Sequence, residues 1–168
     1  MKPGDHPEFF RFPAPEGASR ESTIVLHADG RFTHDGEPVE RRDFHEALHR
    51  WLRVHPDDGR YILSNGYDWT YLRVEDTPRF VVSVKGTPPL PPTLVLADGT
   101  EEVMDPASLV VDGEGVLFTR VGSDKQEARF LRLAQVEIAP WLSADAPPRI
   151  TVSGTSHPVG SRATSRGT

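Results

Sequence analysis

Cysteine is absent from the 168 residues. That excludes disulfides, thiolate metal sites and a thiol nucleophile, and it fits a reducing cytosol. Long apolar runs are missing as well. No stretch approaches the ~20 consecutive apolar residues that cross a bilayer, and Met1 to Pro15 holds no run of the length a secretory signal needs. A soluble, cytoplasmic protein with no membrane partner is the expectation. Basic residues are in deficit, 19 Lys and Arg against 25 Asp and Glu, for a formal charge of −6. Residues 143–168 carry three arginines and one aspartate, +2, so the difference leaves −8 on residues 1–142. Phosphate binding rests on concentrated Lys and Arg, so no nucleic-acid partner is expected. Apolar residues, at 36%, are enough for one domain or two small lobes but leave part of the chain outside any core.

What the chain has in quantity is turn punctuation. Asp-Gly occurs five times, beginning at Asp29, Asp35, Asp58, Asp98 and Asp112, and Asn65-Gly66 adds one more step. Tight hairpin turns need positive φ, which Gly accepts freely and Asp or Asn tolerate, so these pairs point to antiparallel strands. Residues 23–27 and 31–34 make a first hairpin. Residues 60–64 and 68–74 make a second, with a third strand of that meander near 80–84. Further on come strands at 93–96 and 108–111, an acidic turn at 101–106, and a hairpin of 116–121 with 127–131. Phe44, Ala47, Leu48, Trp51 and Leu52 recur at helical spacing, predicting a helix over 41–54 that Pro56 ends. Leu131, Ala134, Ile138, Trp141 and Leu142 predict a second, shorter one. The class is α+β, antiparallel β-hairpins and meanders with two amphipathic helices.

Each half runs hairpin, then helix, then a Trp-Leu pair, Trp51-Leu52 and Trp141-Leu142, so two similar hairpin-helix lobes in tandem are expected. The organisation reads as an extended N-terminal arm, 1–20, stapled by Phe9, Phe10 and Phe12, followed by a hairpin-helix-meander lobe, 21–86. A Pro-rich linker, 87–92, leads to the second lobe, 93–142, and a Ser/Thr/Gly/Pro/Arg tail, 143–168, is expected to be disordered.

One string has catalytic form. His45-Glu46-Ala47-Leu48-His49 is a literal H-E-x-x-H, with His55 where an extended zinc-peptidase pattern puts a third ligand. On a helix the two imidazoles share a face and can hold Zn²⁺, with Glu46 as general base for the metal-bound water. On a helical wheel with Phe44 at the centre of the apolar stripe, His45 falls near ~100° and His49 near ~140°, which turns both rings to the edge of the solvated face. A zinc peptidase needs them enclosed, and needs a Gly at the break before the third His, where this chain has Leu52. The expectation is therefore no catalytic residue and no cofactor. A zinc-dependent hydrolase using His45, His49 and His55 stands as the alternative. Gly113-Glu114-Gly115 lacks the third Gly and the helix of a phosphate loop, Ser123 sits in a solvated turn, and Glu75-Asp76 and Glu101-Glu102 are solvated pairs whose neighbours point apart on a strand.

The ordered set Ile24–Phe32, Asp35–Val39, Asp58–Leu63 and Arg73–Pro78, continued by Ser108–Asp112 and Glu127–Leu131, resembles the bacterial family of unknown function numbered 1285. The likeness spans about residues 20–142. It implies an α+β fold with repeated motifs and a part in signal transduction, and it supplies no catalytic residues. The Pro-rich segment and the tail depart from the family pattern.

The reading that follows is a non-enzymatic regulatory or ligand-binding protein whose partner is a small molecule or another protein, of open oligomeric state. Tyr61, Tyr71, Arg73 and Asp76 are the expected ligand-binding residues, strand positions with polar tips that can fix a small polar molecule in a groove between the lobes. A protein-interaction adaptor working through the Pro-rich segment or the tail is the other alternative.

Overall fold

The computed structural model describes residues 1–163. It is mixed, mostly strands with two α-helices, as an α+β class requires. Among the described residues no helix is long and apolar enough to cross a membrane. The chain divides into two compact units, Met1–Asp76 and Thr77 onward.

In the first unit, strands β1 (Val25–Leu26) and β2 (Phe32–His34) form the expected antiparallel hairpin, closed by Gly30 at φ 89°. A second turn, with Asp35 at φ 52° and Gly36 at φ 78°, folds β3 (Glu37–Pro38) onto β2. Both central residues have the positive φ of the tight hairpin turn that such pairs favour. Helix α1 (Arg42–Trp51) passes directly into β4 (Leu52–Val54), which joins β5 (Tyr61–Ser64) and β6 (Trp69–Tyr71) in a three-stranded antiparallel sheet. The helix therefore stops before residue 54. Leu52, Arg53 and Val54 pair with Leu63, Ile62 and Tyr61, and the sheet satisfies backbone groups that a further helical turn would have used. The chain then leaves this sheet, and β7 (Arg73–Val74) lies parallel to β1, giving the order β3-β2-β1-β7.

The arm is not extended throughout. Residues Pro3–Asp5 and Pro7–Arg11 form 3₁₀ turns. Gly4 N donates to Gly66 O at 2.8 Å, and Arg11 grips Asp57 through Nε and Nη2. Phe10, 3% exposed, joins Ile62 and Trp69 in a core cluster with Phe9 packed against it, whereas Phe12 is 63% exposed.

In the second unit, β8 (Arg79–Lys85), β9 (Thr93–Leu96), β10 (Glu101–Val103), β11 (Val110–Val111), β12 (Leu117–Val121) and β13 (Gln126–Phe130) join β16 (Gly160–Ser161) in one sheet, ordered β10-β9-β8-β13-β12-β11-β16. Helix α2 (Arg132–Ile138) continues in a 3₁₀ turn through Trp141, and Glu137 accepts from Ser83 Oγ and Val84 N of β8. A hairpin of β14 (Arg149–Val152) and β15 (Thr155–Pro158) completes the unit. Val81, Leu94, Leu109, Ile138 and Ile150 are fully buried in its core.

Four expectations are corrected. Strand β8 does not close a meander with β6; it lies between β9 and β13, parallel to β13. Glu101–Val103 is a strand and not a turn. Residues 87–92 are the loop of the β8–β9 hairpin and no linker, since Lys85 pairs with Thr93. Proline-rich backbone lacks donors but keeps its carbonyls, and these are used: Ser153 N donates to Pro89 O and Trp141 Nε1 to Leu90 O. Residues 143–163 are ordered, because Ile150, Val152 and Val159 insert into the core and Arg162 makes a bidentate pair with Glu127. The rest of the expected tail, 164–168, lies outside the described residues.

A Cβ on Gly4 would meet Gly66 Cα at 2.9 Å. Gly4→Ala is expected to release the arm to limited proteolysis while leaving the remaining chain resistant. Phe10→Ala is expected to lower unfolding free energy by about 3 kcal/mol in urea titration, and Phe12→Ala by less than about 0.5.

Candidate functional site: an apolar pocket against the first helix

The rotation of α1 differs from the wheel. His49 is only 2% exposed, so it does not face water as expected. Its ring packs edge-on against Phe32, centroids 4.7 Å apart, and Nε2 lies 3.1 Å from the carbonyl oxygen of Gly30. A carbonyl only accepts, so Nε2 carries the proton and donates. With its polar edge paired, the imidazole is buried like an apolar group. The buried side of α1 runs through His45, Leu48 and His49, and Phe44, expected at its centre, is 43% exposed.

His55 is also buried, at 5% exposed, but elsewhere in the unit. Its Nε2 donates to Phe10 O at 3.0 Å, and its Nδ1 accepts from Asp57 N at 3.1 Å. The His45 and His49 rings are neighbours, 4.8 Å between centroids, while Glu46 is exposed. Among the described residues no group of three or more His, Asp or Glu is placed to hold a metal ion.

Of the four expected ligand-binding residues, Tyr71 has the densest surroundings. Its hydroxyl donates to Asp58 Oδ2 at 2.5 Å, its ring stacks on His55, and the Arg60 guanidinium lies 3.7 Å above it. Arg60 in turn holds Glu21 through two bonds of 2.8 and 2.9 Å. The phenol's hydrogen bond depresses the Asp58 carboxyl, and the same bond raises the phenol. In the β5–β6 register Tyr71 sits opposite Ile62, so Tyr61, one residue along, points to the other face. Arg73 is exposed on β7, in the other sheet, and Asp76 is half-buried at the end of the unit. Tyr61 and Tyr71 thus lie on opposite faces of one sheet, Arg73 lies in another, and Asp76 lies in no strand.

The face of Leu63 and Thr70, which Tyr61 shares, borders a pocket of about 200 Å³ against α1. Ile24, Phe44, Leu48, Trp51 and Leu63 make its walls, with Phe44 edge-on to Trp51 at 6.1 Å. Asn65, Asp68 and Thr70 supply polar groups. These are held in place: Asp68 Oδ1 accepts from Arg20 Nη1 at 2.7 Å, and Asn65 Oδ1 accepts from the amides of Tyr67 and Asp68. Trp69, whose ring carries the Arg20 guanidinium 4.5 Å above it, also borders the pocket. Composition and periodicity placed Phe44 and Trp51 in a core. The signal that marks them in the sequence is two large rings on one helix edge.

No protein-family model and no curated protein matches the chain. Two solved structures do. A crystal structure of a DUF1285 family protein from Silicibacter pomeroyi DSS-3 is 16% identical, with a TM-score of 0.63 over 90% of this chain and 92% of that one. A second, from Shewanella baltica OS155, is 17% identical, with a TM-score of 0.52 over 68% of this chain and 87% of that one. The chain has a DUF1285-like fold.

Asp58, hydrogen-bonded by Tyr71, and Asp57, hydrogen-bonded by Arg11, lie below the ordinary 3.8, and Glu21, hydrogen-bonded by Arg60, lies below 4.5. With folded values depressed, the unfolded chain binds more protons in this window, so stability is complete above it and is lost as pH falls. Tyr71 lies above 10.0 when folded, so its contribution holds below that pH and is lost as pH rises through the folded value. Urea titrations are expected to show stability falling on acidification to about pH 3. Tyr71→Phe is expected to reduce the acid loss and remove the alkaline one.

Proposed function

We propose that this protein is a non-enzymatic ligand-binding module with a regulatory role, and that its ligand enters the pocket beside α1. The observation that supports this reading is the mismatch between walls and exposure. Five apolar side chains surround a cavity of about 200 Å³, and Phe44 stays 43% exposed at its mouth. Ligand sites are mostly apolar with a few preset polar groups, and the Asn65, Asp68 and Thr70 set fits that description. The volume is small, roughly seven waters at ~30 Å³ each, so the occupant is a short chain or a single ring.

A regulatory role draws on the position of α1. The helix lines the pocket with Phe44, Leu48 and Trp51 and seats on the β1–β2 turn through His49 and Gly30. Occupancy at one side therefore bears on packing at the other. The hairpin-then-helix order of β1–β2 with α1, repeated by β12–β13 with α2, belongs to the same reading as a degenerate tandem repeat. No metal or cofactor enters it.

Titration of 1-octanol and of cyclohexanol into the full chain, followed by Trp fluorescence and thermal shift, is expected to give saturable binding. Phe44→Ala, at a part-exposed position, is expected to weaken it at least about threefold without lowering the melting temperature of the free protein by more than a few degrees. Absence of saturable binding by either probe, or binding indifferent to Phe44→Ala, overturns the reading.

A further inference from the structure

Beside the apolar pocket lies a second cavity, of about 340 Å³, and Trp51 and Asn65 line both. Its other walls have a different chemistry. Lys2, Arg50 and Arg53 contribute three cations against one carboxylate, Asp5, and Ser64 adds a hydroxyl. Asp5 is already engaged, its Oδ2 accepting from the Lys2 backbone amide at 2.8 Å.

This charge is out of keeping with its surroundings. The protein is acidic, −6 overall, and five of the unit's nine arginines pair with carboxylates, Arg11 with Asp57, Arg20 with Asp68, Arg31 with Asp29, Arg41 with Asp43 and Arg60 with Glu21, while Arg42 and Arg73 line neither cavity. Among the described residues none of Lys2, Arg50 and Arg53 has such a partner. Arg53 is fixed by its own packing, with the guanidinium 4.6 Å over the Phe10 ring and Nη1 3.4 Å from Gly4 O. Lys2 Nζ stands 5.7 Å over the Tyr67 ring. Cations held in position and left unpaired next to an apolar pocket match a ligand with both features.

We infer that the two cavities form one composite site for an anionic amphipath: a short apolar body against Phe44, Leu48 and Trp51, and a single carboxylate or phosphate head beside Arg50, Arg53 and Lys2. This rests on the ligand-binding reading above and adds the ligand's charge and polarity. Arginine's planar fork suits either head, and a charge-assisted hydrogen bond is worth about twice a neutral one.

Isothermal titration of the full chain at low salt with octanoate, octyl phosphate, 1-octanol and octylammonium tests the assignment. The expected order is an anion-headed probe tightest, by about tenfold over 1-octanol, with octylammonium weakest and the gap closing as salt is added. Whichever of octanoate and octyl phosphate binds more tightly identifies the head. Arg50→Gln, at an exposed position, is expected to reduce the gap by about threefold and leave 1-octanol unchanged. Arg50→Glu is expected to shift preference toward octylammonium, an outcome that misfolding cannot produce. Equal affinity for all four probes, with Phe44→Ala weakening each, removes the anionic assignment and leaves the apolar pocket standing. An anion preference untouched by both Arg50 variants also overturns it. If no octyl compound binds, the composite site falls, and the apolar-pocket reading falls with it when cyclohexanol also fails to bind.

Discussion

The seating of His49 against Phe32 and the carbonyl of Gly30 is the constraint on which the first unit's arrangement depends. A ten-residue helix is marginal by itself and takes its orientation from whatever face it buries. Here the buried imidazole fixes that face. With His49 and Leu48 turned inward, Phe44 and Trp51 come to the edge and Arg50 and Arg53 to the adjoining groove. Had the helix docked through Phe44 as the wheel implies, the rings that wall the pocket would have closed into a core. A buried polar residue thus leaves apolar ones at the surface.

A second histidine does comparable work at the far end of the helix-sheet segment. His55 joins the arm to the sheet, donating to Phe10 O and accepting from Asp57 N, within a ring cluster of Phe10, Trp69 and Tyr71. Three guanidiniums cap this cluster, Arg20 over Trp69, Arg53 over Phe10 and Arg60 over Tyr71. Such contacts add about 0.5–1 kcal/mol each where exposed. Their larger effect is positional. Arg53 is held both to the arm and at the edge of the cationic cavity, so the arm's docking also presets that cavity.

What was legible in the sequence follows the range of the signal. Turns and the strands beside them are local, and the hairpins β1–β2, β5–β6 and β12–β13 stand where Asp29-Gly30, Asn65-Gly66 and the Gly122 loop put them. Strand partnership across long separations is not local. Nothing in Arg79–Lys85 distinguishes a third strand of the β5–β6 meander from a partner of β13, because an apolar run fits either. The β1–β7 and β11–β16 parallel pairs are invisible for the same reason. Composition averages over a window, so residues 143–163 read as a tail although they carry the β14–β15 hairpin. Ile150 and Val152 alternate correctly for a strand, yet with Val159 they make three large apolar residues, outvoted by Ser, Gly and Pro. As for the site, the ring-bearing positions were visible, but which side of α1 they occupy was decided by a hydrogen bond between residues 30 and 49.

The likeness to DUF1285 structures at 16–17% identity separates two kinds of information in this chain. A shared fold is compatible with so low an identity because many side chains of suitable size fill a core and many Gly-containing turns serve a hairpin. A binding site has no such tolerance, since its specificity rests on a few groups at defined positions. Function is therefore to be argued from Phe44, Trp51, Arg50 and Arg53 and not from the topology that carries them. The electrostatics favour that view. In an acidic protein, unpaired arginines cost little at a solvated surface, but they acquire a distinct use where low-dielectric walls border them, because attraction to an anion strengthens as water is excluded. Apolar walls and unpaired cations meet at Trp51 and Asn65, and that junction is where chemistry particular to this chain, as opposed to its fold, is concentrated.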